Sequence, residues 1–180
     1  MNNLELLIVA PVFSMQLLID GLLVGSIFAL AAYGMALVWG VMNIINIAQG
    51  QFVILGGYVT FILAGYGIHP VLTIPFAAVA LYGVGLLVYR VVIVRIVERD
   101  LFISILATFG ISILLKQLMN QTFTADVQTV ESGFGTWVLF TNMVTVNQVK
   151  VLACAIALVV GTVLMMFLKK SRTGQAIRAT

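Results

Sequence analysis

Five apolar stretches, each about as long as a membrane-spanning helix, dominate this chain. A helix needs about 20 residues to cross the roughly 30 Å hydrocarbon core, because each residue adds about 1.5 Å. With only 8% charged residues, a soluble fold of this length could not cover its own surface, which excludes soluble enzymes, nucleic-acid-binding proteins and disordered chains. The sequence therefore predicts an all-α, polytopic helix bundle that forms one transmembrane domain over residues 1–180. The five stretches cover approximately residues 17–40, 47–66, 71–89, 101–119 and 149–168.

The few basic residues predict how the chain is oriented. Arg90, Arg95 and Arg99 follow the third stretch, whereas the segment 120–148 contains no Lys or Arg. Since basic loops stay in the cytoplasm, the 90–100 loop and the C-terminus are predicted to be cytoplasmic, and the N-terminus and segment 120–148 external. The second basic group follows the fifth stretch and comprises Lys169, Lys170, Arg172 and Arg178.

The external segment differs in composition from the spans. The stretch Thr136–Val146 is rich in β-branched and aromatic residues, and Gly133 and Gly135 precede it. This predicts a short hairpin or an irregular cap, and a linker lying on the outer surface is the alternative. A second set of residues also favours β structure: Thr122, Thr124, Val127, Thr129 and Val130.

Small residues recur every four positions along the first stretch. Rows of this kind let helix backbones approach closely in lipid, so the stretch is predicted to pack against other helices. The alternative is the ordinary abundance of Ala and Gly in membrane helices. The two linked rows consist of Gly21, Gly25 and Ala29, followed by Ala32, Ala36 and Gly40.

Four carboxamide side chains fall within nine residues between the first two spans: Asn43, Asn46, Gln49 and Gln51. Amides in hydrocarbon are costly unless they bond to one another, to backbone or to water. The segment is therefore a candidate to re-enter the membrane and line a polar pathway, because irregular backbone is tolerated there only against protein or a water-filled cavity. A cytoplasmic turn whose amides face water is the alternative.

A second polar pattern lies on the fourth stretch, where polar residues recur every four positions on one slanting helix face. We include Ser112 with the candidate pathway residues, because the stripe could face a hydrated interior. Alternatively, Lys116 extends to the interface and the hydroxyls bond their own helix. The stripe comprises Ser104, Thr108, Ser112, Lys116 and Asn120.

Several chemistries are missing from the sequence. It contains no phosphate-binding G-x-x-x-x-G-K-[ST] motif, no H-E-x-x-H motif and only one Cys and one His. We therefore expect no catalytic residue, no cofactor and no metal. Asp20 is interpreted as a capping or interfacial residue at the outer edge of the first helix.

Three separated motifs resemble the permeases of branched-chain amino acid ABC importers. The family's I-N-x-A-H/Q-G pattern, and its later G-A-Y with Gly replacing Ala, are matched by Ile45, Asn46, Ala48, Gln49 and Gly50, and by Gly56, Gly57 and Tyr58. A T-x-G-x-S pattern is matched by Thr108, Gly110 and Ser112. The family's C-terminal T-x-x-G-x-x-x-R-A signature is similar, with altered spacing, to Thr173, Gly174, Gln175, Arg178 and Ala179.

The resemblance implies a permease subunit in the bacterial inner membrane that carries branched-chain or related amino acids inward. It implies a second permease subunit, two cytoplasmic ATPase subunits and an external substrate-binding protein as partners, besides the lipid bilayer, and no nucleic acid. Family members are longer, so the chain is expected to be the N-terminal portion of a permease. A permease for urea or short amides, half of a secondary transporter and a non-transporting scaffold are the alternatives. The residues predicted to face the ATPase are Arg172, Thr173, Gly174 and Arg178.

Overall fold

The computed structural model describes residues 11–123, 126, 128–130, 133–139 and 144–170. Helices make up most of this part of the chain, which confirms the predicted all-α bundle. In chain order the elements are α1 (Pro11–Met42), α2 (Gln49–Gly65), α3 (Pro70–Val88), a π-helix (Tyr89–Ile93), α4 (Val94–Ile96), α5 (Leu101–Phe123), β1 (Thr136–Leu139), β2 (Val144–Asn147) and α6 (Gln148–Lys170).

Four of the five predicted spans are helical stretches long and apolar enough to cross a membrane. The remaining one, the second predicted span, is α2, an apolar helix of 17 residues. At about 1.5 Å per residue, α2 is about 26 Å long, slightly less than the hydrocarbon thickness. The four longer stretches among the described residues are Val12–Met42, Pro70–Ile96, Leu101–Phe123 and Gln148–Lys170.

Two helical stretches extend furthest beyond their predicted bounds. The first covers 32 residues from Pro11, so residues 11–16 belong to the same helix as the predicted span. The third continues past Val88 through the π-helix and α4 to Ile96. Its start is well defined, because Pro70 occupies the first turn and Nδ1 of His69 accepts a hydrogen bond from the Val71 N–H at 3.4 Å.

The predicted hairpin is confirmed, and its position outside the membrane stays a prediction. Strands β1 and β2 pair antiparallel, with Val138 opposite Thr145, and the Gln148 N–H donates to the Gly135 carbonyl at 3.2 Å. The prediction of β structure nearer residue 122 was wrong for the residues that the structure describes. Thr122 lies in α5, and residues 126 and 128–130 form no strand, since continued helix bonding outweighs a local β preference.

The chain divides into two compact units, and the boundary falls within α1. The first unit is Met1–Tyr33 with Gly133–Thr180, and the second is Gly34–Ser132. In the first unit, β2 packs against the start of α6. In the second unit, α2 packs against α3 and α5, and the short α4 packs against α5.

The small-residue rows of α1 are not covered by the described chain. All six residues are exposed, and a Cβ added at Gly21, Gly25 or Gly40 would meet no atom within 4 Å. Only Ala29 among the six lines a groove, of about 270 Å³, between α1 and α6. Helix packing through these rows therefore stays a prediction that requires a neighbour beyond the described residues.

Candidate functional site

A six-residue connection, here called the amide turn (residues 43–48), joins α1 to α2. The helix ends because Asn43 adopts a φ of +52°, and its N–H still donates to the Trp39 carbonyl at 2.8 Å. Asparagine enters this left-handed region more readily than most residues, since its short polar side chain bonds locally. Asn43 therefore acts first as the residue that stops α1.

Asn46 shapes the entrance to α2. Its Oδ1 accepts a hydrogen bond from the Ala48 N–H at 3.1 Å, and its carbonyl accepts one from the Gln49 N–H at 3.2 Å. A side-chain oxygen that binds the N–H two residues later forms an Asx turn, which directs the backbone into a helix. The carboxamide that the sequence marked as a pathway candidate thus also has a local structural role.

Thr108 of α5 fixes the middle of the amide turn. Its hydroxyl is fully buried, lies 2.9 Å from the Ile45 carbonyl and accepts a hydrogen bond from the Ile47 N–H at 3.3 Å. The hydroxyl also lies within reach of two carbonyls of its own helix, so its one proton is shared among several acceptors. One side chain therefore satisfies two polar groups of a non-helical backbone.

The amide turn lies within the second unit and not at the end of its helices. Thr108 is seven residues after Leu101, which places it about 10 Å along α5. Ile44 and Ala48 flank the bonded residues and are 2% and 0% exposed. The turn therefore contacts α5 about two helical turns from the start of that helix, and Ile44 and Ala48 are its buried residues.

The four carboxamides do not form a network with one another. Asn43 is exposed, whereas Asn46, Gln49 and Gln51 are half-buried. Nε2 of Gln49 lies 3.4 Å from the position that a Cβ on Gly34 would occupy. The glycine therefore leaves room for the Gln49 amide beside α1.

The polar stripe of α5 meets the amide turn at only one end. Ser104 and Thr108 are buried there, and the Ser104 hydroxyl donates to the carbonyl of Leu101 in its own helix at 2.7 Å. Ser112 is half-buried and takes part in none of the side-chain hydrogen bonds found among the described residues. Farther along, Lys116 and Asn120 are exposed.

A groove of about 550 Å³ lies along the other half of α2, within the same unit. Tyr58 borders it and stacks on Phe123, with ring centroids 4.2 Å apart. The helix thus has the amide turn at its first residue and a partly polar groove towards its last. The groove is lined by Ile54, Gly57, Tyr58, Thr60, Phe61, Asp126, Gln128 and Val130.

The two basic segments are described to different extents. Arg90, Arg95 and Arg99 are exposed around the π-helix and α4, and the Arg95 guanidinium donates to the Val91 carbonyl. The predicted ATPase-facing residues Arg172, Thr173, Gly174 and Arg178 lie outside the described residues.

Sequence reasoning missed two contributors to the amide turn. Thr108 was recognised only in the polar stripe and in the T-x-G-x-S pattern, and Gly34 was not predicted to contact the turn. The spacing of four from Ser104 to Ser112 contained the signal for Thr108, but spacing could not show which face meets the turn. The capping role predicted for Asp20 was also wrong, since Asp20 is the tenth residue of α1 and forms an ion pair with Lys150.

Comparison with known families agrees with this architecture. A family model described as "Branched-chain amino acid transport system / permease component" matches residues 17–180. The chain belongs to this permease family. The resemblance inferred from the three motifs is confirmed, and the match includes the amide turn and the whole of α5.

Individual relatives share a quarter to a third of their residues with this permease chain. The high-affinity branched-chain amino acid transport system permease protein BraD of Pseudomonas aeruginosa is 30% identical over 92% of the chain. LivH of Escherichia coli, of the same description, is 27% identical over 93%, and LivH of Salmonella typhimurium is 24% identical over 93%. The chain spans 58% of the length of each of these relatives. No solved structure matches it.

Proposed function

We propose that this chain forms membrane-spanning helices of an ABC importer permease that moves branched-chain or related amino acids inward. The observation that carries the proposal is the amide turn, a non-helical, uncharged polar segment held inside a helical unit by Thr108. Irregular backbone at membrane depth occurs where protein or a water-filled cavity surrounds it. In a transporter, such a break supplies polar groups to a passing substrate without introducing a charge.

The proposed pathway runs along α2, from the groove bordered by Tyr58 to the amides of Asn46, Gln49 and Gln51. An amino acid is a zwitterion, so its ammonium and carboxylate groups need hydrogen-bonding partners once they leave water. Carboxamides suit this task because each offers both donors and an acceptor. Asn43, at the exposed start of the turn, and Ser112, one helical turn beyond Thr108, are the further proposed contacts.

The energy source and the remaining subunits are proposed to lie outside this chain. Relatives described as permeases of high-affinity branched-chain amino acid systems support an assembly with a second permease subunit, two cytoplasmic ATPase subunits and an external binding protein. We expect the exposed arginines after α3, with Arg172, Thr173, Gly174 and Arg178, to lie on the ATPase side.

Uptake measurements on substituted permeases test the pathway. Asn46→Leu removes the carboxamide and its bond to the Ala48 N–H, whereas Asn46→Asp keeps an acceptor there. We expect Asn46→Leu to lower the uptake of labelled leucine by the assembled importer by roughly tenfold, equivalent to one lost hydrogen bond. Asn120→Leu removes an exposed carboxamide far from the turn and should leave uptake unchanged.

The uptake of these variants decides whether the amide turn belongs to the substrate pathway. Wild-type uptake by Asn46→Leu, at equal amounts in the membrane, would exclude a pathway role for the turn. If the Asn46→Asp variant inserts into the membrane as well as wild type but takes up less leucine, the amide contacts substrate as well as shaping the turn. Parallel assays with urea and acetamide distinguish the amino-acid substrate from the short-amide alternative.

The proposed orientation places the N-terminus and the hairpin outside and the loop of residues 90–100 inside. The chain contains one cysteine, Cys154, so replacing it by Ala allows single cysteines to be introduced. In whole cells, a membrane-impermeant maleimide should label Gln128→Cys and spare Arg99→Cys until the cells are opened. The reverse pattern would overturn the orientation.

A secondary transporter half is less well supported than the importer. Ion coupling requires titratable groups within the membrane. The ion pair of Asp20 and Lys150 is about a third exposed, and Lys150 lies in the first turn of α6. Co-purification with ATPase subunits would favour the importer, whereas a stable oligomer of this chain alone would favour a scaffold.

A further inference from the structure

The groove bordered by Tyr58, here called the α2 groove, is lined by one face of α2 and by the segment that follows α5. Four of its residues are spaced by three and four positions along α2, so they share one helix face. Residues 126, 128 and 130 line it from the segment after α5. Its volume of about 550 Å³ falls within the roughly 300–1,000 Å³ typical of pockets that hold small molecules. The four residues of α2 are Ile54, Gly57, Tyr58 and Phe61.

Two contacts hold the segment after α5 in place. Phe123, the last residue of α5, stacks its ring on that of Tyr58, with centroids 4.2 Å apart. Nε2 of Gln128 donates to the Phe123 carbonyl at 3.4 Å, and this carbonyl is one of the four at the end of α5 that find no partner within the helix. The groove is therefore bounded by residues that are bonded or packed to the two helices.

The lining of the α2 groove combines one charge with polar and apolar side chains. Among the eight described residues that line it, Asp126 carries the one formal charge. A carboxylate attracts a cation and repels an anion, and the aromatic ring of Tyr58 also favours cations over anions. Such a lining fits a compound that has an ammonium group and an apolar body. The polar lining residues are Tyr58, Thr60 and Gln128, and the apolar ones are Ile54, Phe61 and Val130.

The position of the groove suits a charged residue. Because Tyr58 stacks on the last residue of α5, the groove lies at the end of that helix and not at its middle. The 23 residues of α5 cover about 34 Å, which is more than the roughly 30 Å hydrocarbon core. Asp126 is exposed three residues beyond this end. Its carboxylate is therefore within reach of water, which avoids the cost of a charge at the bilayer centre.

We propose that the α2 groove binds apolar primary ammonium compounds, branched-chain amino acids among them, and that Asp126 selects them by pairing with the ammonium group. The inference deepens the proposed function and rests on it, since the groove is the start of the proposed pathway. The carboxamides of the amide turn offer donors and acceptors alike and cannot make this selection. A compound without an amino group gains nothing from Asp126, and the substrate carboxylate is not required for binding.

Protection of an introduced cysteine tests binding without transport. Cys154→Ala removes the one native cysteine, and Thr60→Cys then places a thiol in the groove lining. The assembled importer is placed in lipid nanodiscs without ATP, and the reaction of this thiol with a maleimide is timed. Leucine and 3-methylbutylamine, each at about ten times its dissociation constant, should slow the reaction about tenfold. The compound 4-methylpentanoate, which is leucine without its amino group, should not slow it.

Variants of Asp126 test the selecting charge in the same assay. Asp126→Asn keeps the size of the side chain and removes its charge. The concentration of 3-methylbutylamine that halves the labelling rate should rise about fivefold, as for the loss of a partly hydrated ion pair. Asp126→Glu retains the charge and should stay within about twofold of wild type. Glu98→Gln removes an exposed acid outside the groove and is the control.

Filling the groove tests its location. A Cβ added at Gly57 would meet no atom within 4 Å, so Gly57→Leu extends a side chain into the groove without a clash at the backbone. This variant should lose the protection by both leucine and 3-methylbutylamine. Gly83→Leu is the matched control, because Gly83 on α3 has equally open space and does not line the groove.

Three results would overturn the proposal. These are equal protection by 4-methylpentanoate and 3-methylbutylamine, wild-type protection in Asp126→Asn, and protection that persists in Gly57→Leu. If Gly57→Leu fails to insert, the Asp126 variants decide alone. Uptake separates this inference from the proposed function. A wild-type importer that carries leucine but shows no protection sinks the groove site alone, whereas one that carries urea and no leucine sinks the proposed function, and protection by 3-methylbutylamine still decides whether the groove binds ammonium compounds.

Discussion

The amide turn and the hairpin latch hold irregular backbone to helices in opposite ways. The latch is the hydrogen-bonded set that joins β2 to α1 and α6, and it consists of Gln16, Asp20, Thr145 and Lys150. The turn is uncharged and partly buried, and the buried hydroxyl of Thr108 binds both Ile45 and Ile47. The latch is partly exposed and ends in the ion pair of Asp20 and Lys150. The difference follows from solvation, because a charge buried away from water is costly, whereas a neutral hydroxyl can satisfy backbone groups there.

Removing the Thr108 hydroxyl is the most direct test of this difference, and it should have the largest effect. Thr108→Val keeps the shape of the side chain but leaves the Ile45 carbonyl and the Ile47 N–H without their partner. We expect the free energy of unfolding to fall by about 1–3 kcal/mol for each backbone group left without a hydrogen-bond partner. Thermal unfolding in detergent, followed by circular dichroism, measures the loss as a lower Tm.

Two matched variants control for this effect. Thr108→Ser retains the hydroxyl and should remain near wild type. Ser104→Ala removes a buried hydroxyl that bonds only its own helix, so its Tm should fall much less. Equal losses for Thr108→Val and Ser104→Ala would show that the bonds to the turn add no stability.

Filling the space at Gly34 tests whether the turn also depends on close packing. Gly34→Leu forces the Gln49 amide away from α1, and overpacking of this kind costs about 1–3 kcal/mol. Gly34→Ala meets only the end of a flexible side chain and should cost less. Leucine uptake and Tm are the measurements, with Gly85→Leu as the control at a glycine that has open space around it.

The end of α1 offers a test of backbone conformation alone. Asn43 has a φ of +52°, which a β-branched residue adopts only with strain. Asn43→Val should therefore destabilise the chain by about 1–2 kcal/mol, whereas Asn43→Gly should be nearly neutral. If both variants unfold at the wild-type temperature, the left-handed residue does not determine where α1 stops.

The smallest expected effect lies in the latch. Asp20→Asn removes a partly exposed ion pair, and pairs of this kind contribute little to the free energy of unfolding. The fall in Tm caused by this variant should become smaller as salt is added, since salt screens exposed charges. A salt-dependent loss as large as that of Thr108→Val would contradict the distinction between a buried neutral site and a partly exposed charged one.

Sequence patterns predicted the elements better than the contacts. The apolar runs located all five spans, since only helices satisfy their backbone within a run of such length. They underestimated α1, which begins at Pro11, six residues before the predicted span. The hairpin was one of three structures weighed for its segment, whereas Thr122 was misassigned because local β preference yielded to the helix of which it is part.

The candidate site was predicted in composition but not in geometry. Clustering of the four amides drew attention to the turn, and the motif around Asn46 indicated the family. Nothing local could reveal that Thr108, about 60 residues away, bonds to Ile45 and Ile47. The same is true of Gln16 and Thr145, which are 129 residues apart.

The sequence by itself determined that this chain is a polytopic helical membrane protein of the branched-chain amino acid permease family. Its continuous apolar runs and sparse charges allow no soluble fold, and its motifs are specific. Only the tertiary structure decided which polar groups satisfy one another. Thr108 meets the amide turn and Asp20 meets Lys150 because helix packing sets these distances. Periodicity fixes the face of a helix, but the neighbour that this face meets depends on the rest of the fold.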